Sequence, residues 1–430
     1  MHQEDHTRYV WQALSLTLLT LLLCCGCHRN PPAASGPLLQ RGYLWQRAWT
    51  PAVDDAVQQA DQHLDGVIVL GAEIGWDDGK PRPIEANISW AELYAMKKPV
   101  AIALRIAPYP GPFAQDDATA KAIVAEAASL LKTARAHNVE AQEFEIDFDC
   151  AQNKLKGYKL WLQALARVVH PTRLVITTLP AWLDEPDFAA LVQQADSYVL
   201  QVHSVPILAE SGRASLCDPS LARKWVDKAS RLGIPFSVAL PTYWCVAGYD
   251  SAGKLIGVAV DSVQPSWPPD TGMLEFGPNA DDIADLVRQW QTKRPPGLRE
   301  LIWYRLPVAT DLRNWRWPTL LSVMTGCHPD HHLEVTQEGQ TPVDLSIANA
   351  GDAEEELNCA VVVRWNGSRP VACDALPGWS VSSIKGQAVF STTDDHLHLS
   401  PGTNTSIGWI RLGQASALQT ELITHEQKSP

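Results

Sequence analysis

The sequence predicts a (β/α)8 barrel of the TIM type followed by a small all-β, sandwich-like domain. Three observations lead there. Eight strand-like runs alternate with eight helical patterns across some 290 residues, as a barrel requires. After Gly326 the helical period vanishes, and short alternating runs with turn signals replace it. The third observation is the stretch Ala141–Cys150, A-Q-E-F-E-I-D-F-D-C. Strand side chains alternate between faces, so Glu143, Glu145, Asp147 and Asp149 share one face, and Phe144, Ile146, Phe148 and Cys150 the other. An apolar back and an acidic front suit a barrel wall, with helices behind and a lumen that opens into a site ahead.

The strands are expected at Tyr43–Ala48, Gly66–Glu73, Val100–Ile106, Ala141–Cys150, Leu174–Leu179, Tyr198–His203, Phe236–Tyr243 and Leu301–Leu306. The helices between them fall at Val53–His63, Trp90–Met96, Asp117–His137, Leu155–Val169, Pro186–Ala195, Pro219–Leu232, Asp281–Lys293 and Leu312–Met324. Leu160, Leu162, Leu165, Val168 and Val169 form the apolar stripe of the fourth helix. A doubly wound open sheet is the alternative. It would more often carry a glycine-rich phosphate loop after its first strand, and Arg47-Ala48-Trp49-Thr50-Pro51 is not one. The domains are drawn at 40–326 for the barrel and 327–430 for the β-domain.

Ahead of the barrel, residues 1–26 read as an export signal. Trp11 to Leu23 is apolar and Gly26-Cys27 follows, as in a bacterial lipoprotein cleaved before a lipid-bearing Cys27. Residues 27–39 form a flexible tether that includes the run Pro31-Pro32-Ala33-Ala34-Ser35-Gly36-Pro37. By analogy with such lipoproteins, His28 directs the chain to the outer membrane of a Gram-negative envelope. The net charge of -13 argues against nucleic acid and anionic membrane surfaces, so membrane contact is expected through the lipid anchor alone. Outside the signal, six cysteines remain, at 150, 217, 245, 327, 359 and 373; an even count in an exported chain favours disulfides. Cys359 with Cys373 is the favoured pair, because they flank the turn signal Asn366-Gly367. No spacing marks a metal site, and no cofactor is implied.

Chemistry in such barrels gathers at the C-terminal strand ends. Those ends supply Arg47, Glu73, Arg105, Asp147 with Asp149, Gln201 with His203, Tyr243, and Trp303 with Arg305; Trp45 joins them from the first strand. Close carboxylates push their pKa values apart, which suits an acid that protonates a glycosidic oxygen. Asp149, Asp147 and Glu73 are thus the catalytic candidates. Trp45, Arg47, Arg105, Gln201, His203, Tyr243, Trp303 and Arg305 are the candidates for holding a glycan or small-molecule ligand. The arginines are equally suited to neutralising the acids as ordering ion pairs. Seventeen Trp agree with sugar stacking, though Trp also fills cores. The insertion Trp244–Asn279, with a hairpin around Ser251-Ala252-Gly253 and the run Pro265-Ser266-Trp267-Pro268-Pro269, is read as a lid, a subsite wall or a structural flap.

Five motifs together resemble a bacterial family known as domain of unknown function 3142: L-W-Q-R-A-W (Leu44–Trp49), E-I-D-F-D-C (Glu145–Cys150), Y-V-L-Q-V-H-S (Tyr198–Ser204), L-C-D-P (Leu216–Pro219) and A-L-P-T-Y (Ala239–Tyr243). The resemblance runs from about Gly42 to Leu306 and implies a barrel without an established activity. A weaker likeness is to family-eighteen chitinases, whose fourth strand ends in D-x-D-x-E and whose eighth ends in a Trp that floors the sugar site. Glu145-Ile-Asp147-Phe-Asp149 echoes the first and Trp303 the second. The chain departs from that pattern in ending on Asp149 rather than Glu. Two functions are therefore weighed: a glycoside-hydrolase-like enzyme, and a non-catalytic envelope protein that holds a glycan or a protein partner.

Overall fold

The structure, a computed structural model, describes residues 36–203, 215–260, 266–366, 370–384, 386–393, 397–414 and 416–424. The expected signal, most of the tether, Cys27, Ser204, Pro265 and Gly367 lie outside the described residues. Eight parallel strands close on themselves: β1 (Leu39–Leu44), β2 (Gly66–Asp77), β4 (Val100–Ile106), β5 (Ala141–Phe148), β6 (Arg173–Thr178), β7 (Ser197–Gln201), β8 (Phe236–Pro241) and β12 (Leu298–Tyr304), with β1 pairing both β2 and β12. An antiparallel strand β3 (Lys80–Glu85) extends β2 outward. The helices are α1 (Pro51–His63), α2 (Trp90–Ala95), α3 (Ala118–Ala136), α4 (Leu155–Val169), α5 (Phe188–Val192), α6 (Pro219–Arg231), α7 (Ala280–Thr292) and α8 (Trp317–Met324).

Local chemistry sets the helix starts. Asp117 caps α3 by accepting from Ala120 N, Asp218 caps α6 at Ser220 N and Leu221 N, and Asn279 caps α7 at Asp282 N. The stripe of α4 is rotated from the expected one. Leu155, Tyr158, Trp161, Leu162, Leu165 and Val169 are buried, whereas Val168 is exposed, because the large rings of Tyr158 and Trp161 claim the side facing the sheet. The expected helix Pro186–Ala195 is shortened to α5, and a 3-10 turn, Pro180–Asp184, precedes it. The last helix begins at Trp317 rather than Leu312, with Pro318 in its first turn.

Two strand positions required correction. The first strand lies at Leu39–Leu44, so Arg47 and Ala48 fall in the loop beyond it. On β12 the inward residues are Glu300, Ile302 and Tyr304, which turns Trp303 outward. Trp303 is fully buried beside Trp315 and donates to Gln40 Oε1 at 3.1 Å, so it packs the helix layer and floors no site.

The lumen is filled in tiers. At the floor, Arg41 donates to Glu143 at 2.7 Å and makes a two-pronged pair with Glu300 at 2.5 and 2.8 Å. Arg173 adds a bond to Glu143 at 2.9 Å and Ser237 one to Glu300 at 2.7 Å. Above this, Tyr43, Ile68, Ala101, Ala103, Val175, Val199, Ala239 and Ile302 form an apolar plug.

The insertion after β8 folds into a three-stranded antiparallel sheet of β9 (Cys245–Tyr249), β10 (Leu255–Ala259) and β11 (Gly272–Phe276). Cys245, Ala247, Tyr249 and Phe276 pack toward Tyr243 and Tyr304 at the barrel mouth. On the other face Trp267 lies against bare backbone, and a Cβ at Gly248 would meet it at 2.9 Å.

The C-terminal domain is two four-stranded antiparallel sheets. The first runs β13 (Leu333–Gly339), β14 (Val343–Asn349), β21 (Asn404–Leu412), β17 (Pro370–Ala375); the second β18 (Trp379–Ile384), β19 (Gln387–Thr392), β16 (Cys359–Arg364), β22 (Gln419–Thr424). A shared core of Leu345, Ile347, Val361, Val363, Phe390, Ile407 and Ile410 joins them, with a short pair β15 (Glu355–Glu356) and β20 (His398–Leu399) at the side. The expected Cys359–Cys373 disulfide does not form. The chain crosses between sheets here rather than forming a hairpin, which puts Cys359 on β16 and Cys373 on β17. All six cysteines among the described residues are free.

The floor network makes a graded prediction. Arg41→Ala leaves Glu143 and Glu300 buried with too few partners and should cost about 3–5 kcal/mol in denaturant unfolding. Arg173→Ala, at a side chain 54% exposed, should cost about 0–1 kcal/mol. Equal costs would mean that the floor is not a buried network.

Candidate active site

A cavity of about 400 Å³ opens at the C-terminal end of the barrel. Tyr43, Trp45, Arg105, Asp147, Asp149, Thr177, Gln201, His203, Tyr243 and Tyr304 line it, and Val260, just past β10, supplies a wall from the insertion. β5 carries the acids. Its alternation stacks Glu143, Glu145 and Asp147 up the lumen, and the residues after Phe148 bring Asp149 to the opening.

Each acid meets a different environment. Glu143 is held at the floor by Arg41 and Arg173. Glu145 is 1% exposed within the apolar plug, and Tyr43 OH donates to it at 2.7 Å. Burial lifts its carboxyl from 4.5 to about 8, against the pull of that bond. Asp147 accepts from Thr177 Oγ1 at 2.8 Å and Gln201 Nε2 at 3.3 Å, both on Oδ1, while Arg105 Nε stands 3.9 Å from Oδ2. Burial and the neighbouring Asp149 charge raise Asp147 to about 6. Asp149 has no hydrogen bond or ion pair among the described residues. It is open to solvent on one side, yet the protein crowding its carboxyl raises it above the usual range, with Arg105 acting in the opposite sense.

Aromatic rings frame the acids. Tyr304 stacks on His203 at 5.7 Å and meets Tyr43, Trp45 and Tyr243 edge-on at 5.5, 5.5 and 5.6 Å. Burial lowers His203 to about 4, so the ring is neutral at physiological pH. Its Nδ1 is buried and has no hydrogen-bond partner among the described residues. The walls are stitched from behind: Thr242 N donates to Tyr304 O at 2.9 Å and Trp315 N to Thr242 O at 2.9 Å.

Of the residues expected at the site, Trp45, Arg105, Asp147, Asp149, Gln201, His203 and Tyr243 line the cavity. Glu73 and Arg47 adjoin it: Arg47 and Arg105 both bind the Glu73 carboxylate, the latter at 3.2 Å, with Arg47 largely exposed. Trp303 and Arg305 are not brought in. Arg305 is buried against Asp311 at 3.3 Å in the loop after β12, and places none of the strand acids. Tyr43, Thr177 and Tyr304 were missed. The charged Glu300, an even number of residues before Tyr304, carried the signal for the inward face of β12. Among the described residues, no group of three or more His, Cys, Asp or Glu is arranged to hold a metal ion.

The protonated Glu145 predicts how stability varies with pH. Between about 4.5 and 8 the folded chain keeps a proton that the unfolded chain releases, so stability falls as pH rises through that window, by up to roughly 1.4 kcal/mol per pH unit for one proton. Asp147 shares in this only below about pH 6. Denaturation midpoints between pH 6 and 8 should therefore decline in the wild type and flatten in Glu145→Gln. An unchanged slope would show that Glu145 is already ionised.

Comparison with known proteins adds the following. No curated protein matches the chain. Among solved structures, a chitinase from Chromobacterium violaceum is similar at 14% identity and a TM-score of 0.47, over 67% of this chain and 98% of its own. The Bacillus cereus spore cortex-lytic enzyme SleL is similar at 13% identity and a TM-score of 0.47, over 69% and 76%. A chitinase from Bacteroides thetaiotaomicron is similar at 13% and a TM-score of 0.42, over 63% and 90%. These likenesses assign no residue a role, and the barrel rests on its own strand pairing. Residues 97–309, from the third barrel strand to just past the eighth, match the model of the family described as Domain of unknown function (DUF3142).

Proposed function

We propose that this barrel acts on or binds a glycan in the cavity at its mouth, with Asp149 as the proton donor and Asp147 as its partner. One observation carries the reading. A tethered carboxyl raised to about 6 stands next to an unbonded one in a cavity walled by aromatic rings. Two such acids share protons as a unit, so one holds a proton while the other is charged. Thr177 and Gln201 keep Asp147 from rotating, which leaves Asp149 free to approach a glycosidic oxygen. In this scheme Asp149 protonates the leaving oxygen, and the charge on Asp147 favours the cationic character that develops at the sugar. Tyr243, Gln201 and His203 orient the ring, Trp45 offers it an apolar face, and Arg105 with Glu73 borders the opening.

One feature favours a second reading, a non-catalytic envelope protein that holds a glycan or protein partner. Asp149 is one methylene shorter than a glutamate, which reduces its reach. Both readings are for an exported chain, lipid-anchored at Cys27 in the periplasm or outer membrane of a Gram-negative cell and touching the membrane only through that anchor.

A glycan array with a reducing-end release assay separates the two. Cleavage that falls at least 100-fold in Asp149→Asn, with an unchanged thermal transition, supports the enzyme. Binding without cleavage, equal in wild type and variant, supports the binding protein. For the anchor, metabolic labelling with palmitate should mark the wild type and not Cys27→Ser; labelling of both would overturn the lipoprotein assignment.

A further inference from the structure

We propose that the glycan taken at this mouth carries a free amino group, and that its ammonium docks on Asp147 Oδ2 within the aromatic box. The inference rests on the glycan reading above and names the substrate class for the same cavity.

The first argument is a charge inventory. Among the described residues, the carboxyl groups of Glu73, Asp147 and Asp149 face two guanidiniums, Arg47 and Arg105. Both guanidiniums bind Glu73, and Arg105 reaches Asp147 only at 3.9 Å, beyond hydrogen-bond distance. His203 is neutral here and adds no positive charge. Among the described residues the Asp147–Asp149 pair thus has no guanidinium within hydrogen-bond distance, inside a protein of net charge -13.

Geometry is the second argument. Asp147 Oδ1 is filled by Thr177 and Gln201, but Oδ2 accepts no hydrogen bond among the described residues, and the side chain is 16% exposed into the cavity. Tyr43, Trp45, Tyr243 and Tyr304 form one connected set of electron-rich rings around it, with neighbouring centroids 5.2 to 5.6 Å apart. A carboxylate beside several such rings is the arrangement that recognises an ammonium. His203 Nδ1 is a further buried polar atom in this wall without a hydrogen-bond partner among the described residues. An acetylated amine would present a neutral amide to Oδ2 in place of a cation.

The third argument links this contact to the chemistry. An ammonium on Asp147 stabilises its charged form, so the proton shared by the pair passes to Asp149, where the donor role requires it. The correct substrate would then set the protonation state of its own catalyst.

The test is calorimetric binding of hexamers of glucosamine, N-acetylglucosamine and glucose, each in β-1,4 and β-1,6 linkage, to the purified protein. The glucosamine hexamer of one linkage should bind at least about tenfold more tightly than its neutral counterparts. That preference should fall within about twofold in Asp147→Asn and weaken in Trp45→Leu. Equal or tighter binding of a neutral hexamer overturns the inference and leaves the glycan reading standing. A preference that survives in both Asp147→Asn and Trp45→Leu overturns the assignment of the contact. Failure of every hexamer to bind overturns the glycan reading as well.

Discussion

A column of four carboxylates inside a closed barrel is the constraint on which the rest of this structure depends. Charge in a low-dielectric lumen is costly unless it is paired, neutralised or wetted, and β5 meets all three conditions in turn. Glu143 is paired, by Arg41 and Arg173. Glu145 is neutralised, by keeping its proton beneath the Tyr43 hydroxyl. Asp147 is half-way, held by two neutral donors and a distant guanidinium, and Asp149 is wet. The gradient runs from buried, paired acids at the floor to a solvent-exposed one at the mouth.

The same constraint explains the neighbouring strands. Arg41, Tyr43 and Trp45 follow one another on the inward side of the first strand and its exit, and they answer the acids tier by tier: a cation for the paired acid, a hydroxyl for the protonated one, a ring at the mouth. β12 repeats the pattern with Glu300, Ile302 and Tyr304. The insertion sheet and the loop after β12 then buttress Tyr243 and Tyr304, so that the rings around Asp147 and Asp149 are fixed from outside the barrel.

Much of this was legible in the sequence, because period-two alternation over a strand as marked as Ala141–Cys150 leaves little freedom. The acidic face and most of the cavity residues follow from it, and the eight units from the alternation of strand-like and helical runs. The misplaced barrel-strand residues have one physical origin, the phase of a strand with mixed faces. In L-R-E-L-I-W-Y-R both Trp303 and Tyr304 are plausible inward rings, and only the burial of Glu300 decides between them. The first strand was set four residues late, leaving out Arg41, the partner of Glu143 and Glu300. The β-domain's strands were visible, but their assignment to two sheets was not. A turn signal such as Asn366-Gly367 says that the chain reverses, not which sheet it re-enters, and the expected disulfide failed on that distinction.

The central claim is the graded protonation of the acid column, and pH-difference infrared spectroscopy of the carboxyl band tests it most directly. Glu145→Gln should remove a protonated-carboxyl signal that is present at pH 7 and titrates near pH 8 in the wild type. Asp147→Asn should remove a second, titrating near pH 6 and coupled to Asp149. A column already ionised at pH 7, with every acid titrating in the ordinary range of about 4, would contradict the account.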